Sequence, residues 1–183
     1  MSATSAAIVD ETPAGLISAA AGGSEAAFAI IVERHYVAMT RVCFVVCRDA
    51  DVAAEAVQAS WPIAWQKLRS LREPERLGAW LASIAVNEAR QLVRRRRRRS
   101  IVEIQVAGSG SQSMANPADR VEDLDLARAL DRLDADDRAL LALRYVAGLN
   151  ATELGRGLGM SASGTRRRLA RLLKRLRTEL GDE

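Results

Sequence analysis

Seven basic side chains recur along one stretch near the C-terminus: Arg166, Arg167, Arg168, Arg171, Lys174, Arg175 and Arg177, with no acid among them before Glu179. Seven more arginines fall within residues 90–99, six of them consecutive. Guanidinium groups hold phosphate through paired hydrogen bonds and read guanine edges bidentately. Two such clusters point to a polyanion met at two separate places. Side chains for bond-breaking chemistry are scarce. His35 is the only histidine, and Cys43 and Cys47 stand four residues apart. All three fall on one predicted helix, where they do not converge on a metal. The cysteines read as small buried apolar residues. The chain shows no glycine-rich phosphate loop and no paired acids beside a nucleophile, which argues against a nucleic-acid-processing enzyme. No metal, no cofactor and no catalytic residue is expected.

The elements that must position these arginines are helices. The C-terminal basic stretch follows the pattern of a helix-turn-helix. Asn150 is placed to cap a first helix, with Glu153 three residues on to close a capping box. Gly159 ends that helix where a left-handed residue is needed. Ser161 then caps a second helix, whose Leu169, Leu172, Leu173, Leu176 and Leu180 make an apolar face opposite the basic one. Gly155 and Gly157 inside the first helix predict that it is weak.

The 183 residues are 49% hydrophobic and 27% charged, enough for one or two small domains with real cores. Aromatics are 4%, so those cores are mostly aliphatic. The net charge of +4 conceals blocks: residues 1–33 hold four acids and no Lys or Arg, and residues 119–137 hold eight acids against three Arg. Helical spacing predicts one helix from Ser24, a second over about 52–68, and a third from near Pro74 that ends in the arginine run. Residues 107–118 are rich in Gly, Ser, Asn and Pro and read as a flexible linker, with residues 101–106 belonging to it or forming a short strand. Further helices follow over about 121–133 and 134–146. The reading is all-α: an extension over 1–23, a first domain over 24–100, a linker over 101–120 and a second domain over 121–183. No apolar run approaches the ~18 residues of a membrane span. No leader with a basic segment before an apolar one is evident, so a cytoplasmic protein without membrane insertion is expected.

In this layout the chain resembles the small extracytoplasmic-function (ECF) class of bacterial RNA polymerase sigma factors, which keep only sigma domains two and four. The resemblance lies in residues 26–36, in DVAAEAVQASWPIAW over 51–65, in Ala79-Trp80-Leu81 through Asn87 to the arginine run, and in Leu143-Arg144-Tyr145 with Gly148-Leu149. It implies that the chain binds core RNA polymerase and promoter DNA and directs initiation without being an enzyme. It also implies, as is common in this class, an anti-sigma partner. The 51–65 helix would grip the polymerase through Glu55, Gln58, Trp61 and Trp65. Asn87, Trp80, Arg90, Arg94, Arg95 and Arg96 would meet the opened minus-ten element, at a pocket formed by the loop around residues 70–77 and the helix that follows. Trp80, at a core position, reads as packing before stacking. The helix capped by Ser161 would enter the major groove of the upstream, minus-thirty-five element. There Arg166 and Arg167 are placed for base edges, and Arg171, Lys174 and Arg175 for phosphates, while Arg168 suits either.

The chain departs from the family pattern at several places. Ala54 and Ala59 stand where acids are usual, Pro62 falls inside a helix, Gly155 replaces a usual alanine, and Thr165 takes an apolar position. An interior proline costs about 3 kcal/mol in a simple helix. Two other functions fit part of the sequence: a stand-alone helix-turn-helix regulator, and a degenerate sigma-like protein that sequesters partners. The 51–65 helix and the arginine-terminated helix speak against the first, since a simple regulator needs neither.

Overall fold

Short polar residues open nearly every helix. The computed structural model describes residues 10–106 and 121–181, and no strand occurs among the described residues. Thr12 caps α1 (Pro13–Ala21), its Oγ1 accepting from the Gly15 amide at 3.1 Å. Ser24 caps α2 (Glu25–Cys47) by accepting from the Ala27 amide at 3.2 Å. That helix stops at Arg48, whose left-handed φ of 57° is unusual for a residue with a side chain. Its guanidinium is tied down by Asp131 Oδ1 at 2.7 Å. Asp49 then caps α3 (Ala50–Lys67). Two 3₁₀ turns, Leu68–Ser70 and Pro74–Arg76, lead into α4 (Leu77–Val106). The second half holds α5 (Val121–Asp131), α6 (Ala135–Leu141), a π-helical turn over Ala142–Val146, α7 (Ala151–Leu158) and α8 (Ala162–Leu180).

Three readings are refined. First, the 1–23 extension contains a helix, as its alanines allow around residues 14–21: α1 buries Leu16, Ile17 and Ala20 against the first group of helices. Its end is held where Arg69 Nε donates to the Ala21 carbonyl at 2.8 Å. Second, α4 does not stop at the arginine run but continues through residues 101–106. Extending a helix already nucleated costs far less than starting one, and arginine is a good helix former. Third, Pro62 leaves α3 unbroken. It deprives the Gln58 carbonyl of its helical donor, and Gln58 is exposed, so water can replace the lost bond. The rest of the expected linker, residues 107–118, lies outside the described residues.

Helices α2, α3 and α4 enclose an aliphatic core that includes Ile31, Met39, Val57, Leu81 and Val86. Leu140, Leu143, Leu154, Leu169 and Leu172 do the same for the second group. The two groups are packed together, with α6 and the π turn against α2 and α4. A buried arginine joins them. Arg138 on α6 donates from Nε to the Val46 carbonyl at 2.7 Å and from Nη1 to the Leu133 carbonyl at 2.7 Å. Val46 belongs to the last turn of α2, where carbonyls lack a helical partner and the helix dipole favours a cation.

Candidate nucleic-acid interface

The turn between α7 and α8 is built by local chemistry. Asn150 Oδ1 accepts from the Thr152 and Glu153 amides at 2.9 and 3.1 Å, and Glu153 returns a carboxylate to the Asn150 amide at 2.7 Å. Gly159 closes α7 at φ 71°. Ser161 caps α8, its Oγ accepting from Gly164 at 3.1 Å. Gly155 is a requirement of this turn. A Cβ there would stand 2.5 Å from the Met160 carbonyl oxygen, a backbone atom that cannot step aside cheaply. Thr165 is fully buried at its apolar position, and its hydroxyl donates back to the Ser161 carbonyl at 3.0 Å, so no polar atom is stranded.

On α8, Arg166, Arg167, Arg171, Lys174, Arg175 and Arg177 are exposed, while Leu169, Leu172 and Leu176 face the core. Arg168 separates from this set. It is half-buried, with Nε donating to Asp137 Oδ1 at 2.6 Å and Nη2 3.7 Å from Asp134. Arg175 pairs along the helix with Glu179 at 3.0 Å. The exposed groups form a continuous cationic face that fits a phosphate backbone and groove edges.

A second cationic surface lies on α4. Asn87, Arg90 and Arg94 line a hollow of about 380 Å³ with Lys67, Gln91 and one carboxylate, Glu88. Asn87 Oδ1 accepts from Arg90 Nη1 at 3.1 Å. Arg95 reaches Gln91 at 3.4 Å, and Arg96 leans toward Asp49 and Glu55 at 3.5 and 3.4 Å. Trp80 is not in this group. It lines a separate cleft of about 410 Å³ with Leu71 and Arg72 on one side and Leu149, Glu153 and Arg156 from the α7 end on the other. Of the expected minus-ten residues, Asn87, Arg90 and Arg94 thus share one hollow, Trp80 lines another, and Arg95 and Arg96 lie outside both.

Sequence reasoning missed one residue here. Asp136, in the first turn of α6, accepts from Arg90 Nε at 2.7 Å and from Arg94 Nη2 at 2.5 Å. Burial alone pushes its carboxyl up, but the bonds from Arg90 and Arg94 outweigh this and hold it below the usual range. Arg76, at the rim of the Trp80 cleft, forms an ion pair with Glu153. Such pairs over 46 and 77 residues leave no local signature. The only available sign was the acid-rich block preceding α6.

On α3, Glu55 and Gln58 are exposed. Trp61 and Trp65 are half-buried and stand edge-on to Phe28, with centroids 6.1 and 4.9 Å away. Two of the four residues expected to meet polymerase are therefore open, and two hold α3 on α2. Cys43 is buried and Cys47 half-buried. Burial raises both thiols far above their ordinary range, Cys47 to about 12, so neither is a thiolate at neutral pH.

Two helical groups, one closing in a cationic helix-turn-helix and the other bearing a polyarginine helix beside a tryptophan-lined cleft, have the layout of a nucleic-acid-binding protein. Residues 31–99 match sigma-70 region 2, and residues 129–178 match sigma-70 region 4. The chain belongs to the sigma-70 family of RNA polymerase sigma factors, in its extracytoplasmic-function class. It is 30% identical over 168 residues to the probable RNA polymerase sigma factor RfaY of Xanthomonas campestris pv. campestris, covering 88% of this chain and 42% of that protein's length. It is 26% identical over 176 residues to the ECF RNA polymerase sigma factor SigM of Mycobacterium tuberculosis, covering 94% and 86% of the two chains. Its fold is similar to that of CnrH in complex with the cytosolic domain of CnrY, with a TM-score of 0.63, 26% identity, and coverage of 92% of this chain and 96% of that one. It also shares its fold with the sigma factor RpoE in complex with the anti-sigma factor NepR from Bartonella quintana, with a TM-score of 0.67, 24% identity, and coverage of 84% and 96%. Among the described residues no helix is long and apolar enough to cross a membrane.

Proposed function

We propose that this sigma factor works through three surfaces, each with its own residues. Glu55 and Gln58, on the open face of α3, meet the core polymerase, and Trp61 and Trp65 keep that helix in place. The exposed face of α8 enters the major groove of the upstream element. Arg166 and Arg167, near its N-terminal end, reach base edges, and Arg171, Lys174 and Arg175 hold phosphates. Arg168 leaves the readout set because it is committed to Asp137. On α4, Arg90 and Arg94–96 grip the backbone of the opened strand at the minus-ten element, and the Asn87 amide both donates to and accepts from an exposed base edge. The Trp80 cleft, walled by the turn after α3, offers an apolar face to an unstacked base.

The protein performs no bond chemistry of its own in this reading. It lends sequence recognition to a polymerase and works in the cytoplasm, where that polymerase is. A protein partner that holds it inactive fits the same picture, since CnrH and RpoE are each seen bound to a second protein.

The observation that carries the proposal is the coexistence, in one chain, of an exposed cationic α8 on a well-capped turn and a second cationic helix whose arginines flank an amide. An operator-binding regulator needs only the first. Co-elution with core polymerase on a sizing column tests it. A one-to-one complex is expected at micromolar concentration. Absence of a complex, with core polymerase that accepts another sigma factor, would overturn it.

A further inference from the structure

The acids at the start of α6 touch both cationic surfaces. Asp136 bonds Arg90 and Arg94 at 2.7 and 2.5 Å, spanning the two helical groups. One residue on, Asp137 bonds Arg168 of α8 at 2.6 Å, and Asp134 lies 3.7 Å from the same guanidinium. At Arg90 and Arg94, the two of these arginines assigned to DNA, the Asp136 carboxylate stands where phosphate oxygens would bind and does what DNA does, from within the chain. The Trp80 cleft is likewise bordered by the second group of helices. Leu149, Glu153, Arg156 and Gly157 form one of its walls, and Glu153 is paired with Arg76.

This packing is incompatible with holding both promoter elements together. A packed chain of this length has a radius of gyration of about 16 Å and hence a breadth near 40 Å. Elements centred at minus ten and minus thirty-five lie roughly 85 Å apart along B-form DNA at 3.4 Å per step. The helix-turn-helix must leave α4 before both elements are occupied.

We propose that Asp136, aided by the Glu153–Arg76 pair, is an internal phosphate mimic that keeps this sigma factor in a closed, self-masked form. Promoter DNA competes with it directly for Arg90 and Arg94. This rests on the assignment of those two arginines to the opened strand. The latch is electrostatic and partly exposed, with the Asp136 side chain 29% accessible, so it yields to a polyanion or to salt. The Arg138 and Arg48 bonds to Val46 and Asp131 hold the other end of the contact and involve no DNA-facing group.

The test compares the full-length parent with Asp136→Asn and Asp136→Arg, using a fluorescent mixed-sequence single-stranded DNA as probe. Asp51→Asn, the same charge change at an exposed carboxylate outside these ion pairs, controls for net charge. Asp136→Asn is expected to bind the probe several-fold tighter than either the parent or Asp51→Asn. Its salt slope should steepen by up to about 1.4, the counterion release of two phosphates on a single strand. Asp136→Arg should also enlarge the chain in small-angle X-ray scattering, because a third guanidinium then faces those of Arg90 and Arg94. Affinity, slope and size equal to the parent's, or an Asp136→Asn gain no larger than that of Asp51→Asn, would overturn the latch. If Asp136→Arg fails to fold, Asp136→Asn decides by affinity and slope. Co-elution of the same proteins with core polymerase reports separately on the sigma-factor reading: a variant that binds polymerase normally yet gains nothing on DNA sinks the latch alone.

Discussion

The Met160 amide donates to the Gly155 carbonyl at 2.8 Å, while the Met160 carbonyl stands 2.5 Å from where a side chain at Gly155 would begin. The turn that aims α8 therefore folds back onto α7 at a point where only hydrogen fits. Gly157, two residues on, has nothing within 4 Å of its own missing Cβ.

These two glycines should respond oppositely to alanine. Gly155→Ala should destabilise the C-terminal helices by roughly 1–3 kcal/mol, as overpacking against backbone does. Gly157→Ala should stabilise them by about 0.4–1 kcal/mol, because alanine is the better helix former. Urea unfolding followed by circular dichroism reads both. Equal signs for the two changes would show that the turn geometry is wrong.

The basic residues of α8 should fall into three kinds. Lys174→Ala should weaken binding to all duplexes alike and lower the salt slope by about one. Arg166→Ala or Arg167→Ala should relax sequence preference at the upstream element, with losses of roughly 1–3 kcal/mol. Arg168→Ala should instead lower the unfolding midpoint, since it strands Asp137 at the half-buried start of α6. Binding titrations on selected and random duplexes, with a melting curve for each variant, separate the three. Identical losses on both duplexes for Arg166 and Arg167 would remove them from the readout set.

His35 gives the first domain a pH dependence. Its ring is half-buried against the start of α4, 3.4 Å from where a Gly78 side chain would begin. Burial, and then the Arg34 charge, hold its pKa below the ordinary value of 6.5. The unfolded chain therefore binds the extra proton first. The stability of the neutral ring is present above about pH 6.5 and is lost as pH falls through that value toward the folded pKa. Asp136, with its lowered pKa, titrates below this window. The urea midpoint should fall between pH 7.5 and pH 5, and His35→Gln should flatten the slope. An unchanged slope in His35→Gln would place the dependence elsewhere.

Asn87 is expected to separate strand opening from duplex binding. It shares its hollow with Arg90 and Arg94, so the proposed phosphate grip should survive its removal. Asn87→Ala should leave holoenzyme binding to duplex promoter nearly unchanged and lower permanganate reactivity of unpaired thymines. A pre-opened mismatched bubble should recover part of the loss, because the cost of unpairing is already met. Full melting by Asn87→Ala would make it a structural amide.

What sequence made legible was local. Ser24, the Asn150–Glu153 box, Gly159 and Ser161 announce helix ends within three or four residues, and each performs that role. The exposed face of α8 follows from its leucine period. What sequence did not disclose depends on partners far along the chain. The docking of α1 depends on a surface built by α2 and the 3₁₀ turns. Nothing near Asp136 announces Arg90 and Arg94. Thr165 is tolerated in the core because its own helix supplies a carbonyl, and Pro62 because its face is wet. Residues 101–106 read as linker or a short strand, but the helix already formed through the arginines continues over them.

Transcription by core RNA polymerase on a library of duplex fragments, with RNA 5′ ends sequenced, decides whether this chain gives the polymerase its choice of promoter. With this chain added, initiation should appear at new start sites that share two upstream motifs, one near minus ten and one near minus thirty-five. No start sites above those of core polymerase alone, while another sigma factor fires on the same core, would contradict it.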